Sequence, residues 1–163
     1  APPGGGVMTN TLFMETTKID PEVTIGEIQR LLARYDCQAI MTEFKNNEVE
    51  AVSFRIEYKG CPLHFKLPAR ADALFKVLNG RRDPAYQLRK EDDDRQHAKR
   101  VAWRQILRWV QAQLALVQTE MVTIVEVFLP YASFADGKTL YQRLEAKSFT
   151  MLTDQRNTKT VDG

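Results

Sequence analysis

Two cysteines and two histidines among 163 residues restrict the chemistry this chain can carry. Cys37 and Cys61 can close at most one bridge, which a chain of this length does not need for stability, so both read as reduced thiols. A zinc site built from Cys37, Cys61, His64 and His97 fails on geometry. Positions 61 and 64 of one strand point to opposite faces and cannot close on one tetrahedral ion, so the sequence implies no metal and no cofactor. Neither cysteine has an adjacent histidine and acid in the order that activates a nucleophile. Gly137-Lys138-Thr139 has the ending of a phosphate-binding loop, yet the position five before Gly137 is Ala132 and no strand leads in. Glu43, Glu48 and Glu57 could meet in space, but no catalytic motif is visible, and the sequence favours a protein that is not an enzyme. No apolar run approaches the roughly 18–20 residues that cross a bilayer, and nothing near the start has the basic-then-apolar pattern of a secretory signal. The expectation is a soluble, intracellular protein that avoids membranes.

Acids are missing from one long stretch. From Arg95 to Thr119 the chain reads RQHAKRVAWRQILRWVQAQLALVQT, with five bases and no carboxylate. Arg100, Arg104 and Arg108 recur every four positions, which stacks three guanidinium groups on one helix face. There, like-charge neighbours cost roughly 0.2–0.5 kcal/mol per pair unless an anion sits opposite. The formal net charge of +2 conceals this asymmetry: residues 1–57 hold five bases and nine acids, 58–118 thirteen and six, 119–163 five and six. The basic middle third either meets phosphate or pairs with the acidic first third across the fold.

Apolar and charged fractions of 44% and 27% belong to a globular chain and exclude wholesale disorder. The length suits one domain, here residues 20–147, preceded by a Pro/Gly-rich linker or cloning remnant over 1–8 and followed by a flexible tail over 150–163. Thr24 and Glu27 have capping-box spacing, which predicts a helix from Ile25 to near Asp36 that buries Ile25, Ile28, Leu31 or Leu32, and Tyr35. The period then changes to two. Val52, Phe54, Ile56 and Tyr58 form the dry face of one strand over 50–59, and Cys61, Leu63, Phe65 and Leu67 that of the next, joined by a Lys59-Gly60 turn. A first strand, Cys37 to Phe44, joins through Asn46-Asn47, a pair that tolerates positive φ. Residues 71–79 read as a short helix burying Leu74, Phe75 and Leu78, with Gly80 as a left-handed cap. The polar connection 81–90 follows, then Glu91-Asp92-Asp93-Asp94, acids that favour a helix N-terminus. Thr123 with Glu126 and Thr139 with Gln142 repeat the capping-box spacing ahead of two short helices, the first broken by Pro130. The predicted fold class is α+β: a helix, a three-stranded antiparallel meander, a short helix, a long amphipathic helix and short C-terminal helices.

The long helix carries two apolar stripes. Trp103, Ile106, Leu107, Val110, Leu114, Val117 and Met121 keep one face, and Val101, Ala102, Trp109, Ala112 and Leu116 another. One must face the sheet, and near-heptad spacing keeps a helix-paired homodimer in play, although packing within the monomer is favoured. Arg100, Arg104 and Arg108 lie in the gap between the stripes. Lys99, and Arg81, Arg82, Arg89 and Lys90 in the preceding loop, extend the basic surface, while Arg55 and Lys66 lie on the wet face of the sheet. Clustered cations of this kind neutralise phosphates and release counterions. The sheet aromatics Phe54, Tyr58 and Phe65 fall in the dry phase, leaving Tyr86 and Trp109 as stacking candidates.

The order helix, three antiparallel strands, helix, with His97-Ala98-Lys99-Arg100-Val101-Ala102 opening the later helix, resembles the double-stranded-RNA-binding domain and, more loosely, the strand-annealing folds of recombination proteins. In wording, AWRQILRWVQAQLAL (Ala102 to Leu116), VFLPY (Val127 to Tyr131) and TLYQRL (Thr139 to Leu144) look like an uncharacterised group of small phage and prophage proteins, over most of residues 20–147. That resemblance implies a bacterial cytoplasm and one of two roles. One is a nucleic-acid-binding accessory protein in replication, recombination or repair, with DNA favoured over RNA and the ten cations from Arg55 to Arg108 named above on the backbone. The other is a module that binds or inhibits a host or phage protein, for example in anti-defence, where the arginine face meets acids.

Overall fold

A computed structural model describes residues 12–80 and 91–153. Helix α1 spans Pro21–Ala33, behind Asp20 in extended conformation. Pro21 explains that start: its fixed φ suits the first helical turn, and the N–H it lacks would have found no partner there. The helix thus begins one turn before the expected Ile25. Thr24 is not its cap but a fully buried residue inside it. The helix also ends short of Asp36, whose φ of 60° turns the chain toward the sheet.

Three strands follow, β1 (Ala39–Lys45), β2 (Glu48–Tyr58) and β3 (Cys61–Pro68), in the antiparallel order β1-β2-β3. The first strand starts two residues later than the expected Cys37. Asn46 and Asn47 take φ of 51° and 63°, and Lys59 and Gly60 take 50° and 77°, so both hairpins close through two left-handed residues whose twist matches the strands. Pairing runs Ile40↔Phe54↔Phe65 and Thr42↔Val52↔Leu67, which puts the apolar phase on one face as the alternation requires. A bulge between Glu43 and Phe44 leaves Glu50 of β2 unmatched.

Helix α2 (Ala71–Gly80) has no fully buried residue; Leu74, Phe75 and Leu78 are only half covered, and Gly80, the last described residue before 91, has no positive φ and so is not the expected left-handed cap. Helix α3 spans Glu91–Gln118 and so begins at the acidic run of the sequence. Its buried stripe of Trp103, Leu107, Val110 and Leu114 packs with Ile28 and Leu32 of α1 and with Phe54, Phe65 and Leu67 of the sheet. Trp109, from the second stripe, packs edge-on against Phe128 and Tyr131 at ring-centre distances of 5.5 and 5.3 Å. Trp109 is thereby core and not a free stacking platform. Leu116 and Met121 remain exposed.

Both C-terminal capping boxes form. Thr123 caps α4 (Ile124–Phe128), and Thr139 caps α5 (Leu140–Ala146) with Gln142 reaching back. Pro130 does not simply stop the first of these helices. It sits in a 3₁₀ turn, Leu129–Tyr131, that carries the chain to the edge of β3. Another 3₁₀ turn covers Thr150–Leu152, at the start of the expected tail, and Thr153 caps it; residues 154–163, residues 1–8 and Tyr86 lie outside the described residues.

Candidate nucleic-acid interface

The three arginines of α3 have three different environments. Arg100 Nε lies 3.4 Å from Asp20 Oδ1, just before α1. Arg104 donates from Nη1 to Glu27 Oε2 at 3.0 Å and to Thr24 Oγ1 at 3.4 Å, and the residue is only 5% exposed. Its Nε–H has no hydrogen-bond partner among the described residues. Arg108 is exposed, and its Nη1 donates to Gln111 Oε1 at 2.9 Å within its own helix. Contacts climb together along both helices, from Asp20–Arg100 through Glu27–Arg104, so α1 and α3 run parallel and the first two rungs bind them together.

The remaining expected cations divide in the same way. Lys99 pairs with Glu48, which also accepts from Gln96 at 3.4 Å. The Lys99 hydrogen bond, opposed by partial burial and helped by Gln96, holds the Glu48 carboxyl below its ordinary range. Lys66 pairs with Glu43 Oε2 at 2.6 Å, while Ser53 donates to the other oxygen at 2.6 Å. Burial would raise the Glu43 pKa, but the bonds from Lys66 and Ser53 and the Lys66 charge together lower it. Arg55 is half-buried opposite His64 in the sheet register. Arg81, Arg82, Arg89 and Lys90 lie outside the described residues.

The arginine face is not the open cationic surface that its spacing suggests. Every acid in the four pairs above comes from residues 1–57 and every base from 58–118, so much of the charge asymmetry is consumed between the two thirds of the chain. Arg104 in particular is an internal strut and does not face solvent. Arg100, Lys99 and Lys66 already face carboxylates.

Two cations that sequence reasoning passed over take their place. Arg30 lies in the last turn of α1 and Arg34 caps it; both are exposed, four apart on one face, and suited to a helix C-terminus. That spacing was the available signal. Arg34, Tyr35, Gln111 and Gln118 line a hollow of about 490 Å³ between the ends of α1 and α3, with Leu31 and Leu114 among its walls. Arg108 adjoins it through Gln111. Among the described residues Arg30, Arg34 and Arg108 pair with no carboxylate, so a cationic patch with an aromatic ring beside it remains. No three His, Cys, Asp or Glu side chains gather to hold a metal among the described residues, and no described helix is long and apolar enough to cross a membrane. No protein-family model, curated protein or solved structure matches the chain.

Proposed function

We propose that this protein is a non-enzymatic nucleic-acid-binding accessory protein of a phage or mobile element, acting in the cytoplasm of a bacterial host during replication, recombination or repair. It grips the phosphate backbone and does not read bases. The observation that carries this reading is a local cationic patch: Arg30, Arg34 and Arg108, near the ends of α1 and α3, stay exposed and without carboxylates among the described residues. Phosphates supply the missing anions, and the half-buried ring of Tyr35 beside Arg34 offers a face on which a base can stack, worth roughly 1–3 kcal/mol. DNA is favoured because Phe54 and Phe65 are buried in the core, unlike the exposed aromatics of RNA-reading sheets. The phage setting rests only on the resemblance of Ala102 to Leu116, Val127 to Tyr131 and Thr139 to Leu144 to small phage and prophage proteins.

Fluorescence anisotropy with labelled single- and double-stranded DNA and RNA tests it. Binding is expected to at least one DNA form and to weaken steeply between about 50 and about 200 mM salt. No binding to any of the four at low salt would overturn it. A second reading, a protein-binding or inhibitory module, draws on Phe134, Tyr141, Met151 and Leu152, large apolar side chains left exposed in the C-terminal segment.

A further inference from the structure

The two edges of the sheet are treated differently by the chain. Beyond β3, Ser133 N–H donates to the carbonyl of His64 at 2.7 Å and Ala132 bridges Phe65, so the segment after the Leu129–Tyr131 turn covers part of that edge. Beyond β1, no described segment pairs. An open edge exposes a row of unsatisfied N–H and C=O groups and is commonly blunted by proline, by mid-strand charge or by a bulge. Here β1 has seven residues and no proline; its mid-strand charge, Glu43, is engaged by Lys66 and Ser53 of the same sheet, and the bulged residue, Glu50, belongs to β2, so the alternation of β1 is unbroken.

The turn chemistry fixes which groups are free. A two-residue hairpin of this type is closed by a hydrogen-bonded pair, here Lys45 and Glu48, across Asn46 and Asn47. Counting back along β1, the backbone groups of Lys45, Glu43, Met41 and Ala39 point to β2, and those of Phe44, Thr42 and Ile40 point outward. The outward set is its own complement. With Thr42 on a two-fold axis, Ile40 stands opposite the partner's Phe44, and Thr42 opposite the partner's Thr42. β-Branched against aromatic and Thr against Thr are both favourable cross-strand pairs. This register covers Phe44, which is 66% exposed, and uses the full strand. It also keeps like charges apart, since Glu43 meets Met41 and Lys45 meets Ala39. Moving the axis to Glu43 would set two carboxylates against each other.

We infer that the protein self-associates as a two-fold dimer by antiparallel pairing of β1 with β1 of a second copy, centred on Thr42, joining two three-stranded sheets into one of six. Each copy gives three N–H donors, from Ile40, Thr42 and Phe44. The pairing leaves the buried face of α3 inside each monomer and so differs from a helix-paired dimer.

Sedimentation equilibrium of the full chain across the micromolar range, with amide exchange followed by NMR, tests this. The expected result is a species of twice 18.7 kDa at high concentration, with the Ile40, Thr42 and Phe44 amides losing protection on dilution while Ala39, Met41 and Glu43 keep theirs. Thr42→Pro removes a donor that the monomer does not use and should halve the mass with an unchanged far-UV spectrum. Should Thr42→Pro fail to fold, Thr42→Lys sets two like charges on the axis and should also give a folded monomer. A single 18.7 kDa species at every concentration would overturn the inference. So would a dimer that survives a folded variant of Thr42, or one whose Ile40, Thr42 and Phe44 amides exchange freely.

Discussion

Arg104 reaches Glu27 at 3.0 Å across the parallel contact of α3 with α1, its guanidinium buried and the carboxylate about a third exposed. The two ends of this pair are therefore not equivalent. Removing Glu27 strands a buried cation, whereas removing Arg104 leaves a carboxylate that can turn to water.

The asymmetry predicts that Glu27→Ala destabilises the fold by about 2–3 kcal/mol, somewhat below the 3–5 of a fully buried pair. Arg104→Met keeps the apolar stem and should cost about 1 kcal/mol or less. Urea denaturation compares them, and equal losses would mean that the cation is not the stranded partner.

Acid should weaken the sheet through two carboxylates. Glu43 and Glu48 both hold their charge below the ordinary 4.5, the first against its burial through Lys66 and Ser53, the second mainly through Lys99. Unfolding in acid then takes up protons, so this stability is present above the unfolded carboxylate pKa and disappears as pH falls through the lower folded values. Unfolding free energy should drop below about pH 4.5. Glu43→Gln should flatten that drop; an unchanged profile would remove Glu43 from the account.

The two thiols should differ in reactivity. Burial, with a smaller contribution from Asp36, pushes Cys37 up to about 11, so only about one part in a thousand is thiolate at pH 8. Cys61 is exposed. Alkylation of the native protein at pH 8 should modify Cys61 first, with Cys37 reacting on unfolding. Simultaneous labelling would contradict this.

Local signals in the sequence proved strong where the physics is local. The strand over 50–59, the Asn46-Asn47 and Lys59-Gly60 turns and the two C-terminal capping boxes are each decided within a few residues, and each forms; the expected wet phase of that strand does not hold throughout, since Ala51 and Ser53 are buried as well. Thr24 shows how such a signal misleads: its spacing to Glu27 is that of a capping box, but Asp20-Pro21 offers an earlier start, and both residues turn instead to Arg104. The candidate site was less legible because its outcome depends on partners about 80 residues away. Nothing near Arg100 and Arg104 in sequence announces Asp20 and Glu27, and only the folded chain separates those rungs from Arg108.

The capping boxes carry their own test. Thr139 is buried as well as capping, so Thr139→Ala should cost about 1–2 kcal/mol, at the upper end for a cap, and Thr123→Ala closer to about 1. Thermal unfolding of the two variants measures the difference, and a neutral Thr139→Ala would show that the α5 cap contributes nothing.

The most direct test of the split arginine ladder is the slope of log binding constant against log salt for duplex DNA, compared among wild type, Arg34→Ala/Arg108→Ala and Arg104→Met. Each phosphate contact contributes roughly 0.9 to the slope. The double variant should therefore lose roughly 1.8 of it, while folded Arg104→Met keeps the wild-type slope. A wild-type slope in the double variant, or a shallower one in folded Arg104→Met, would contradict the account.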